Sequence, residues 1–97
     1  QYLVRLAHEN GMRVIIDWVA NHTGCDHKWM YTNPEWFLKN EQGQFYDRNG
    51  WVDVADLDYS QPAMRKAMIE AMLFWVKTCG IDGFRCDMAH LVPLDFW

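Results

Sequence analysis

No stretch of this chain approaches the run of about 18 apolar residues that a membrane-crossing helix needs, so the sequence offers no spanning segment. Cysteine is scarce. Cys25, Cys79 and Cys86 are odd in number, widely spaced and form no CxxC pair, which argues against a disulfide framework or a zinc site and leaves free thiols. Basic residues are few and scattered, nine Lys and Arg against thirteen Asp and Glu, for a net charge of -4. Without a basic stripe, nucleic acid and anionic membrane surfaces are poor partners, and a neutral small molecule fits better. Neither a Met nor a signal-like apolar stretch opens the chain, so the compartment stays open among secreted, periplasmic and cytoplasmic. The chain has 97 residues, 51% apolar and 23% charged, the profile of one globular unit at most. Six tryptophans and an aromatic content of 15% suit a dense core or the faces of sugar rings equally well.

Hydrophobic spacing divides the chain. In "YLVRLAHEN" (2 to 10), Leu3, Leu6 and Ala7 share one side, and Gly11 follows where a helix takes a left-handed stop. The β-branched run "MRVIIDWV" (12 to 19) predicts a strand covered on both faces, as in a parallel sheet. Residues 18 to 60 then lose all period and carry Asn33-Pro34, Asn49-Gly50 and many aromatics. That is too long for an ordinary βα loop and predicts an inserted subdomain with structure and function of its own. Regularity returns with Ser60 as expected N-cap, Pro62 in the first turn, and Met64, Met68, Ala71, Met72, Trp75 and Val76 on one helical face ending at Cys79-Gly80. "IDGFRCD" (81 to 87) predicts a second strand, and a strand, crossover, strand order predicts parallel pairing. Two strands and two helices cannot cover both faces of a parallel sheet, so residues 1 to 97 read as a piece of a larger barrel or open sheet, cut inside a helix at one end and after a strand at the other.

The second strand poses the chemical question. Residues i and i+2 of a strand share a face, so Gly83, Arg85 and Asp87 point one way while Phe84 and Cys86 point the other. In a barrel, Arg85 and Asp87 would look toward the C-terminal mouth, where such enzymes keep their active sites. An arginine beside the carboxylate holds it ionised and oriented, as a nucleophile requires; a structural Arg–Asp pair is the competing reading from spacing alone. The first strand is expected to end the same way, with Asp17 at its terminus and Asn21 and His22 just beyond. Asp17 reads either as a second acid at that mouth or as an anchor accepting hydrogen bonds, and His22 either as a loop histidine or as a donor to a substrate hydroxyl.

These residues carry a resemblance. "DWVANH" (17 to 22) resembles the first conserved region of the α-amylase family of glycoside hydrolases, "GFRCD" (83 to 87) the second, and "VADLD" (54 to 58) the short motif near the end of that family's insertion domain. The resemblance implies a (β/α)8 TIM barrel, covered here from roughly the second helix to the fourth strand, with the insertion following the third. It matches Asp87 to the nucleophile, Arg85 to the arginine that positions it, His22 to a histidine on the bound sugar, and Asp17 to the structural aspartate. Asn21 and Asp56 match positions that hold calcium in many members, and their oxygens suit that hard cation.

The chemistry this resemblance implies is that of a retaining enzyme on an α-glucan or maltooligosaccharide: Asp87 attacks the anomeric carbon while a second acid protonates the leaving oxygen and later activates water. That acid, a Glu after the fifth strand, and a further Asp after the seventh lie beyond Trp97, so the segment alone is expected to be inactive and to require the remainder of the barrel. The pattern departs from the family at His90 and Leu91, where Lys and His are common, and at Val54-Ala55, where Leu-Pro is common. His90 either takes the place of the Lys as a substrate contact or is a surface loop histidine. Trp29, Trp36, Trp51 and Tyr46 are sugar platforms or, more simply, packing within the insertion. Two other readings compete. One is a transglycosylase of the same family; the other is a non-catalytic relative, such as the heavy chains that partner amino-acid transporters, against which the intact Asp87, Arg85 and His22 argue. An unrelated α/β domain binding a metal would need a ligand cluster that the sequence does not show.

Overall fold

The computed structural model describes residues 1–46 and 54–97; the Asn49-Gly50 pair and Trp51 lie outside them. The elements run α1 (Tyr2–Glu9), β1 (Ile15–Val19), β2 (His22–Gly24), α2 (Lys28–Thr32), a 3₁₀ turn (Pro34–Trp36), β3 (Val54–Asp56), α3 (Pro62–Cys79), β4 (Gly83–Asp87) and a second 3₁₀ turn (Ala89–Leu91). β1 and β4 pair in parallel, with Asp17 opposite Arg85 and Val19 opposite Asp87. β2 and β3 form a separate antiparallel pair in which His22 faces Asp56.

Local chemistry sets these boundaries. Gly11, at φ +74°, reverses the chain after α1, with the Met12 amide donating to the Ala7 carbonyl at 2.9 Å. Gly80, at φ +72°, closes α3 by donating its N–H to the Val76 carbonyl, a left-handed cap that costs glycine no Cβ clash. At the other end the expected cap shifts by one residue: Gln61, not Ser60, is the N-cap of α3, and its side chain makes no capping bond. Asp58 instead organises the turn that leads into the helix, accepting from the Ser60 amide (3.0 Å), the Ser60 hydroxyl (2.6 Å) and Gln61 Nε2 (3.3 Å). A carboxylate outcompetes a hydroxyl as acceptor, so the turn forms around the aspartate.

The core lies where residues 18–60, the first half of α3 and the segment after β4 meet. Ala20, Phe37, Ala55, Leu57, Tyr59, Met64, Met68 and Val92 are buried there, with Trp18, Trp29, Trp36 and Phe96 packed around them. On the helix side of the strands, Trp18 meets Phe84 edge-on with centroids 5.5 Å apart and donates its Nε1–H to Met68 Sδ at 3.3 Å. The opposite strand face, with Ile15, Asp17 and Val19 of β1, is exposed among the described residues, so β1 is not covered on both faces as its composition predicts. α3 behaves alike: Met64 and Met68 are buried and Ala71 and Met72 half-buried, but Trp75 and Val76 on the same stripe are exposed, as are Leu73 and Phe74. In α1 the buried residue is Val4, while Leu3 of the expected face is exposed. At the end of the sheet remote from Asp87, the Asp82 carboxylate accepts from the Val14 amide (2.7 Å) and His8 Nε2 (2.8 Å), tying α1 to the entries of both strands.

Candidate active site

Strand parity decides which side chains meet. Because β1 and β4 are parallel neighbours with Asp17 opposite Arg85, their alternate residues stand on one face in adjacent rows. Arg85 Nη1 lies 3.6 Å from Asp17 Oδ2 and 3.4 Å from Asp87 Oδ1. One guanidinium nitrogen thus stands between two carboxylates on the face turned away from α3. All three side chains are partly exposed, where a single ion pair contributes at most about 1 kcal/mol. The value of the arrangement is geometric: it holds Asp87, the last residue of β4, upright at the strand exit.

Asp17 is not at its strand's end. It is the central residue of Ile15–Val19, and the register puts Val19, not Asp17, level with Asp87. The two acids therefore sit in successive layers, Asp17 below and Asp87 at the rim, joined through Arg85.

A second group forms where β1 leaves the sheet. Asn21 and Asp56 are 1% and 0% exposed, the two buried polar side chains of the described residues. Asn21 Nδ2 donates to Asp56 Oδ1 at 3.3 Å and approaches His22 Nδ1 at 3.2 Å. An amide NH2 is a donor only, so this contact assigns the acceptor role to Nδ1 and puts the proton of a neutral His22 on Nε2. The Asn21 carbonyl accepts from the Leu57 amide at 3.1 Å, which fixes the "DWVANH" turn to the "VADLD" motif. Asn21 and Asp56 would give a calcium ion at most three side-chain oxygens against the six to eight it takes, and the amide would have to present its oxygen, not its NH2. Among the described residues no cluster of three or more His, Cys, Asp or Glu has metal-binding geometry.

His90 stands apart, exposed on the 3₁₀ turn that follows Asp87. Trp29 and Trp36 pack edge-to-face at 5.1 Å against the core, which favours packing over a sugar platform for both; Tyr46 is exposed. Sequence reasoning missed Tyr59 and Arg65. Tyr59, buried, donates its hydroxyl to the Ala20 carbonyl, and Arg65 joins Tyr59 to Asp95. Burial pushes the Tyr59 hydroxyl pKa up, with Arg65 pulling the other way, so it remains a protonated donor.

Parallel strands joined through a helix, with charged side chains at the strand exit on the face away from that helix, are the arrangement of a piece of an α/β barrel or open parallel sheet. The profile of the alpha-amylase catalytic domain matches residues 1–35 and 30–95, and the chain belongs to that family. Solved structures agree. A noncanonic maltogenic alpha-amylase from Thermotoga neapolitana is 46% identical over 99% of this chain and 22% of its own, with a TM-score of 0.91. An alpha-amylase from Lactobacillus plantarum is 45% identical over 98% of this chain and 22% of its own, with a TM-score of 0.92. A probable oligo-1,6-glucosidase of Bacillus subtilis is 26% identical over 93% of this chain and 22% of its length. The chain spans about a fifth of the length of such relatives, and these residues are part of a (β/α)8 barrel.

Proposed function

We propose that these residues are the stretch from the second helix to the fourth strand of the catalytic barrel of a retaining, α-glucan-active glycoside hydrolase, with residues 18–60 as the insertion after the third strand. The observation that carries the reading is the Asp17–Arg85–Asp87 row on adjacent parallel strands. In this mechanism an Asp87 carboxylate oxygen bonds to the anomeric carbon as the glycosidic C–O bond breaks. The departing oxygen takes a proton from a carboxylic acid contributed from outside these 97 residues. Water, deprotonated by that same group, then releases the sugar and regenerates the carboxylate. Arg85 keeps the nucleophile charged and aimed, Asp17 steadies Arg85 from below, and His22 donates from Nε2 to a hydroxyl of the sugar in the cleaved subsite. His90 would reach substrate from the rim. A calcium ion at this place would be held by oxygens of Asn21 and Asp56, which requires the Asn21 amide to turn over from its present orientation, and would supply rigidity to the turn that carries His22.

The substrates expected are maltooligosaccharides or longer α-1,4- or α-1,6-linked glucans, in keeping with relatives that are amylases and a glucosidase. The test is Asp87→Asn in the full-length polypeptide that carries this segment. The amide keeps the shape but cannot act as nucleophile, so turnover of a maltooligosaccharide should fall by about 10⁴-fold or more. Undiminished turnover would refute the assignment.

A further inference from the structure

The rim that carries His22 and the rim that carries Asp87 leave different strands, and a reaction needing both requires their separation to be fixed to a fraction of an ångström. A continuous path of contacts joins them behind the strands. The Ala20 carbonyl, directly before Asn21-His22, accepts the Tyr59 hydroxyl at 2.5 Å in a buried bond. Arg65 Nε donates to the Tyr59 carbonyl, and the guanidinium lies 6.0 Å from the Tyr59 ring. Arg65 Nη1 donates to Asp95 Oδ2 at 2.9 Å. Phe96, next in the chain, meets the Tyr59 ring edge-on at 4.9 Å. Trp97 Nε1 returns to the Ala89 carbonyl at 3.2 Å, two residues past Asp87.

We propose that Tyr59 and Arg65 are positioning residues: together they clamp the exit of β1 to the segment after β4 and so set His22 against Asp87. Neither touches the reacting atoms. The guanidinium is suited to the task because its planar fork serves two acceptors on different segments at once, which a lysine ammonium does without fixed geometry. The Tyr59 hydroxyl is suited because losing it leaves a buried carbonyl without that donor.

The inference rests on the nucleophile reading, and its test separates the two. In the full-length polypeptide, kcat and KM on a maltooligosaccharide are measured for Tyr59→Phe, Arg65→Lys, Asp95→Asn and the Tyr59→Phe/Arg65→Lys double variant, alongside thermal melting. The clamp predicts that Tyr59→Phe and Arg65→Lys each lower kcat about tenfold while KM stays within about twofold. The double variant should lose no more than about the larger single loss, because both residues act through one path. Asp95, largely exposed, gives a variant that leaves the core intact, with kcat expected to fall about threefold. Unchanged kcat in all of these, or strictly multiplicative losses in the double variant, overturns the clamp. If Asp87→Asn is inactive while Tyr59→Phe and Arg65→Lys are fully active, only the clamp fails; if Asp87→Asn keeps turnover, the nucleophile reading fails.

Discussion

Arg85 uses one nitrogen for two acids, and that sets an order of importance among the three residues. Asp87 is at the rim with Arg85 Nη1 at 3.4 Å, and Asp17, one layer below, meets Arg85 at 3.6 Å, so on the proposed reading Asp17 acts through Arg85. Arg85→Lys in the full-length protein keeps the charge but loses the planar fork, and kcat should fall about 10²-fold; Asp17→Asn should cost about tenfold. Steady-state kinetics checks the ranking, and an Asp17→Asn loss as large as that of Asp87→Asn would contradict it. At this scale the sequence was informative for a simple reason. Side-chain parity is strict within a strand, so Arg85 and Asp87 on one face and Phe84 on the other follow from numbering, and the Trp18–Phe84 contact bears this out. Asp17's depth was not legible, because register belongs to a pair of strands and one strand alone does not contain it.

Among the elements, α3 shows what local pattern reads and what it misses. Pro62 in the first turn and Gly80 past the end were plain, since each follows from the residue's own backbone. The cap was misjudged because the Ser60 hydroxyl is drawn to Asp58, one of three donors that converge there once the turn has formed. Tyr59 and Arg65 stayed hidden for a related reason: their partners Ala20 and Asp95 lie far off in sequence. Burial works to raise the Asp58 pKa, but the bonds from Ser60 and Gln61 outweigh it and hold the carboxyl below its ordinary 3.8. A depressed folded pKa means stabilisation that is whole above 3.8 and is lost as pH falls through the lower, folded value. Asp58→Ala should therefore lower the stability of the full-length protein by about 1 kcal/mol near neutral pH. The difference should shrink as melting is repeated below pH 3.8. A gap that widened on acidification would reverse the sign and count against the ionised Asp58 as the acceptor that holds this turn.

At the scale of the whole molecule, large apolar side chains stand exposed on both α3 and β1. Ile69, Leu73, Phe74, Trp75 and Val76 of α3, Ile15 and Val19 of β1, and Leu94 at 87% exposure all face outward. Contiguous exposed apolar surface of this kind drives association. The 97 residues expressed alone should bind a hydrophobic dye, self-associate in light scattering and show no turnover, whereas the full-length polypeptide should neither bind the dye nor self-associate. A monomeric, dye-silent segment would contradict the reading that further barrel elements cover these faces. The fold class was legible here because strand, crossover and strand leaves a parallel pair as its outcome, now seen in β1 and β4. The architecture between β1 and α3, with its short β2–β3 pair and the buried Asn21–Asp56 contact, was not, since nothing periodic marks strands of three residues.

The central claim is that Asp87 forms a bond to sugar. It is tested most directly by treating the full-length polypeptide with an activated fluoroglucoside, whose fluorine slows release of the intermediate, and mapping the adduct by peptide mass spectrometry. The predicted result is one glycosyl group per active site on the peptide containing "GFRCD", lost in Asp87→Asn. A stable adduct on any other residue, or cleavage with inverted anomeric configuration and no adduct, would contradict it.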